Sequence, residues 1–406
     1  MPGAHSHRRE PAGAHGHAHG HGTDADLRIG TGARTALLGF LVLVALATAV
    51  GVWQLWPDGE EVEGLTSSVP FAAPGVSFPD AEVVRVEPVC AEGDDGSACG
   101  QLVVEYDGER LRLSVPPQVL ESSLAAGDRV RLVETPAADG GDPQVSWFGI
   151  DRTRPVWLMV ALFAAIVVAV ARLRGVLALV GLAFAGLVLA QFVLPALLAG
   201  EPAVAVALAG SAAIMYVVLY TTHGLSLRTS AALAGTHLGV ALTALLGWLA
   251  VAATSLSGIA DEGSNVLATF APGLDFPGLM TAAVIIAGLG VLNDVTITQA
   301  SAVWELRGAA PGMSRARLFT SGMRIGRDHI ASTIYTIVFA YAGTALTVLL
   351  VLELYGLPVA DLLATEEIAQ EVVRTLATSI GLVLAVPVTT AIAVATVPAP
   401  VVDAAG

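Results

Sequence analysis

The chain of 406 residues contains no lysine, and all 20 of its basic residues are arginine. A nucleotide-binding P-loop places its lysine on the phosphates, so no ATP-driven motor is expected within this chain. Schiff-base chemistry is excluded on the same ground. Charged residues are scarce at 14%, and there are only 2 cysteines. No basic patch of groove size is present, so a nucleic-acid partner is not expected. No HExxH, GxSxG or metal-ligand cluster occurs in the apolar half, so neither an enzyme nor a resident cofactor is expected.

What is abundant is hydrocarbon. Hydrophobic residues make up 54% of the chain, in runs long enough to cross a bilayer. The formal net charge of −15 is concentrated in residues 57 to 151.

Residues 1–34 are Gly- and His-rich with no apolar period, the composition of a disordered tail. Its alternating His15, His17, His19 and His21 are weak candidates for a transition metal, because a flexible tail offers no fixed geometry. Residues 35–56 read as a membrane anchor, too long for a signal-peptide core. Residues 57–154 change to period two and read as five short strands, with an Asp107-Gly108 hairpin turn between two of them. A small closed or partly open barrel of OB-like size follows. Cys90 and Cys99 both fall in this outer segment, where a disulfide is favoured over a metal pair.

Residues 155–400 are almost all membrane. Spans are expected near 155–172, 175–198, 203–221, 229–254, 278–303, 330–353 and 374–397. The expected fold is therefore an all-α polytopic bundle of about eight transmembrane helices, with the small extracytoplasmic β-domain inserted after the first. Arg172, Arg174, Arg228, Arg307, Arg315, Arg317, Arg324 and Arg327 fall in loops assigned to the cytoplasm, and Glu201, Asp261, Glu262, Asp275, Glu366 and Glu367 fall outside. Both termini come out cytoplasmic.

On the helix of the span 278–303 and just past its end, Asp294, Thr298, Ser301 and Glu305 share one face. If Trp304 marks the inner interface, Asp294 lies roughly 15 Å deeper, beyond the reach of a snorkelling carboxylate. Asn293, Thr296 and Gln299 add polar groups on the flank. Thr333, below His329, continues a polar stripe on the next span, and His237 sits a few residues into an earlier one. Threonines in such helices usually bond back to their own backbone. Asp328 is expected to pair with Arg324 in a loop. An intramembrane acid is by default a functional-site hypothesis, and a packed, hydrogen-bonded Asp is its alternative.

The stretches "GLGVLNDVTITQASAVWEL" and "SGMRIGRDHIASTIYTIVFAYAGTAL" resemble the signature of the YibE/F family of bacterial multi-pass membrane proteins. The likeness extends from the first anchor onward, and it implies a bacterial cell membrane. In that family the position of Asn293 is often apolar and that of His329 often aliphatic. The functional expectation is a secondary transporter or export accessory with Asp294 as a protonatable site, along a pathway of Asn293, Thr298, Asp328, His237 and Thr333. The alternative is a non-transporting scaffold whose β-domain binds a protein partner.

Overall fold

The computed structural model describes residues 31–68, 71–88, 100–137, 141–356 and 358–399. Cys90, Cys99, His15, His17, His19 and His21 lie outside the described residues. Helix α1 (Thr31–Gln54) accounts for the first apolar run and stops before Pro57, which cannot continue a helix. It docks on the bundle through buried Leu37 and Leu41, and the Tyr216 hydroxyl donates to the Leu41 carbonyl at 2.6 Å. A short helix α2 (Gly59–Ser68) follows.

Strands β1 (Asp80–Val86), β2 (Gln101–Tyr106), β3 (Glu109–Ser114), β4 (Arg129–Thr135) and β5 (Gln144–Ile150) form one antiparallel sheet in the order β3-β2-β1-β4-β5. The short helix α3 (Pro117–Leu120) joins β3 to β4. Alternation sets the two faces: Val130 and Leu132 of β4 are buried with Val83, Leu102 and Val104, while Arg129 and Arg131 point out. Asp107 and Gly108 adopt φ of 53° and 79°, the doubly positive geometry of a tight hairpin turn. The sheet curls until its edge strands β3 and β5 approach each other.

Helix α4 (Thr153–Val188), a π-helical turn (Leu189–Val193) and α5 (Leu194–Leu198) together run for 46 residues. A straight helix of that length would measure about 69 Å, more than twice a hydrocarbon core. The run is broken at Arg172, where φ is 53° and ψ is −132°. There the chain folds back, so that a Cβ on Gly175 would lie 2.5 Å from the Val167 carbonyl oxygen. In a continuous helix those positions stand roughly 12 Å apart along the axis.

Helices α6 (Ala203–His223), α7 (Leu227–Thr254), α9 (Phe276–Ala309) and α13 (Glu366–Thr396) form the centre, with the short α8 (Glu262–Phe270) between α7 and α9. Small residues let them approach closely. A Cβ on Gly239 would come within 3.0 Å of both Leu292 and Ala385 side chains, so α7 meets α9 and α13 at this point without one. The buried hydroxyls of Thr243 and Thr390 donate to carbonyls one turn back, at 2.9 and 2.7 Å.

Helix α10 (Arg315–Thr344) meets α11 (Leu346–Tyr355) at a 66° bend, and α12 (Val359–Ala364) leads into α13. Two expectations are corrected here. The seventh span was set near 330–353, but α10 begins at Arg315, capped by the Ser314 side chain, and bends at Ala345. Leu318, Gly322 and Gly326 are buried along its first turns, which gives this polar stretch a packed helical face. Arg315, Arg317, Arg324 and Arg327 therefore lie on a helix. Six helices are long and apolar enough to cross a membrane, and the bent pair α10–α11 makes a seventh if it is one span. The protein is a membrane helix bundle that carries a small curled sheet.

Candidate functional site

The site is built where α9 meets α10. These two helices are antiparallel and are fastened by Gln299, which is buried and donates from Nε2 to the Gly322 carbonyl at 2.9 Å and to Thr390 Oγ1 at 2.7 Å. Gly322 and Gly326 leave room for that amide. A Cβ on Gly326 would stand 2.9 Å from Gln299 Oε1 and 2.6 Å from Val386 Cγ1. The contact sets the depth of α10, and it brings His329 level with Asp294.

Asp294 lies on the outer face of α9 with 68% of its side chain exposed, and its Oδ2 is 3.7 Å from His329 Nε2. That is an ion-pair distance, too long for a hydrogen bond. Among the described residues the Asp294 carboxylate accepts no hydrogen bond, and it has no other ion-pair partner. Within this chain it is not packed in a hydrogen-bonded seam.

The other sequence-predicted residues divide. Thr298 and Glu305 continue the exposed face, and Glu305 reaches Arg228 of α7 at 3.9 Å. Asn293 is half-buried on the flank, with its Oδ1 enclosed and unpartnered. Thr333 is buried in α10 and donates to the His329 carbonyl at 2.9 Å, tying the helix at that turn. Asp328 is exposed and makes no ion pair among the described residues, so the expected loop bridge to Arg324 is absent. Both residues lie on α10, one turn apart, and not in a loop.

His237 belongs to a different place. Its Nδ1 is 2.7 Å from the Leu233 carbonyl, and its ring leans on Tyr216 of α6 with centroids 4.9 Å apart. It borders an apolar cavity of about 580 Å³ between α1, α6 and α7. Thr236, its neighbour, bonds Thr296 at 2.6 Å on the buried side of α9, away from Asp294. No group of three or more metal-ligating side chains occurs among the described residues.

Reading the sequence left Gln299 as one polar flank residue among several and the arginines of α10 as loop. The spacing of Gly322 and Gly326, small residues four apart in a membrane helix, is the signal that points to the contact Gln299 makes.

A helical membrane bundle with an acid halfway along one of its packed helices defines the class. Residues 159–399 match the family of YibE/F-like proteins, and the chain belongs to that family. No curated protein and no solved structure matches the chain.

Proposed function

We propose that the protein is a secondary transporter or export accessory of the bacterial cell membrane, in which Asp294 takes up and releases a proton. The observation that carries this reading is a carboxylate, roughly 15 Å inside the level of Trp304, that accepts no hydrogen bond among the described residues. An ionisable group kept at that depth without such partners is expected to serve function rather than packing. Protonation removes its charge, so the helices around it can rearrange at lower cost. The break at Arg172 and the bent α10–α11 pair support eight crossings, with both termini in the cytoplasm and the β-domain outside. The strand order and the approach of β3 to β5 support an OB-like barrel. This reading needs no enzymatic step, cofactor, nucleotide or nucleic acid.

A second reading, a scaffold whose outer domain holds a protein partner, draws on Phe71, Phe78 and Phe148. These rings meet at 5.0 to 6.2 Å, with Phe71 81% exposed. Asp294→Asn separates the two. The amide keeps the shape and cannot change charge, so a transporter should fold normally and lose function, whereas a scaffold should retain it. Complementation of a deletion strain measures this, followed by proton flux in liposomes. Glu305→Gln, at the exposed pair with Arg228, is the control, because such pairs are worth about 0 to 1 kcal/mol.

A further inference from the structure

We infer that the outer face of α9 and α10 is a subunit interface, closed by a second copy of this chain within the membrane. Depth carries the inference. Gly322 is level with Gln299 and His329 with Asp294, so Arg324 and Arg327 lie between those two levels on α10. Asp328 is beside His329, at the level of Asp294. Arg324, Arg327, Asp328 and Asp294 are all exposed. Arg324 is near enough to the inner surface for its side chain to snorkel. Arg327, roughly 12 Å above the level of Trp304, and Asp328 are not. With Trp304 as the inner interface, an acid and a base at this depth are costly in lipid, and a protein surface that pairs them removes that cost.

Charge identifies the occupant. Two copies inserted in the same orientation are related by a two-fold axis along the membrane normal, which leaves every residue at its own depth. A face is then self-complementary only if it carries both signs at one level. This one does on α10, where Arg327 and Asp328 are adjacent, exposed and opposite in sign. A partner Arg327 therefore meets a carboxylate. Next along the same face Ala331 and Ser332 are small and exposed, which allows close approach of the two α10 helices. The inference stands apart from proton transport, since it needs only the depth and exposure of these side chains.

The test uses the full chain in native membranes. A photo-crosslinking phenylalanine analogue replaces Ala331 or Tyr335 on the α10 face, or Trp248 on the exposed face of α7. Two differently tagged copies are co-expressed. The expected result is a band of twice the chain mass carrying both tags from positions 331 and 335, and none from 248. Arg327→Asp should reduce that band at least tenfold, and Arg327→Asp with Asp328→Arg should restore it. Several results would overturn the inference. They are monomer only, a crosslink to another protein with a single tag, equal dimer from position 248, or a yield that ignores the charge reversal. Loss of Asp294→Asn activity with the dimer band intact would leave the interface standing, and a missing band with normal Asp294-dependent function would remove the interface alone.

Discussion

His329 Nε2 stands 3.7 Å from Asp294 Oδ2, and no hydrogen bond joins them. The two groups are near each other without holding each other in place. His329→Leu should therefore fold normally and change activity by less than about tenfold, the range of a partly exposed pair. The same complementation assay that reads Asp294→Asn measures it. A dead His329→Leu protein would mean that the imidazole carries a step of its own.

Gly326 bears the α10 contact. Gly326→Ala should lower stability by about 1 to 3 kcal/mol, because the added methyl would stand 2.6 Å from Val386 Cγ1 and 2.9 Å from Gln299 Oε1. Gly343 of the same helix has nothing within 4 Å of such a methyl, and Gly343→Ala should change stability by less than about 0.5 kcal/mol. Thermal unfolding in detergent, followed by size exclusion, compares the two.

Arg172 forms the turn between two apolar helices, next to Arg174. Reporter fusions at Arg172, Arg315 and Ala404 should score as cytoplasmic, and one after Gly64 as extracytoplasmic. An extracytoplasmic score at Arg172 would make α4 something other than two crossings.

Glu87 and Gly100 tie the chain ends that flank the cysteine segment. Glu87 N donates to the Gln101 carbonyl at 3.0 Å, and Gly100 N donates to the Pro88 carbonyl at 2.7 Å. Pro88 and Gly100, which bound the segment that carries both cysteines, are thus adjacent. Thiol labelling should find both blocked until reductant is added, and reduction should cost the β-domain about 2 kcal/mol.

Asp261 caps α8, accepting from the Ser264 amide at 2.6 Å in a reciprocal capping box. That bond, with help from the Ser264 hydroxyl, holds its carboxyl below the usual aspartate range. The lowered value means the cap is fully present above the ordinary range and is lost as pH falls through the depressed one. Asp261→Ala should cost α8 about 1 kcal/mol at neutral pH and nothing once the native carboxyl is protonated. Hydrogen exchange of the α8 amides at the two pH values reads the difference.

Much of this architecture is legible in the residues. The five strands alternate strictly enough to be found, because one face is buried and the other wet. Asp294 stands out because its flanks are apolar. The first four turns of α10 do not stand out, since four arginines among polar residues look like loop. Only the packing of Leu318, Gly322 and Gly326 makes them helix. The exposure of Asp294 is invisible for a similar reason. A helical wheel says which residues share a face, but the neighbours that α9 finds decide which face is covered.

Strand β5 ends at Ile150 and α4 begins at Thr153. The joint between them is braced on both sides: Asp151 N donates to the Arg129 carbonyl at 3.0 Å, and its carboxylate accepts from Thr153 N at 2.9 Å. At its other end the sheet domain follows α1, which is docked on α6. Such a domain is not a bead on a string. These two bonds tie the last strand to the first turn of α4, so a tilt of that helix should be passed on to the sheet. Two glycines inserted after Asp151 would turn this stiff coupling into a swivel and leave both parts intact.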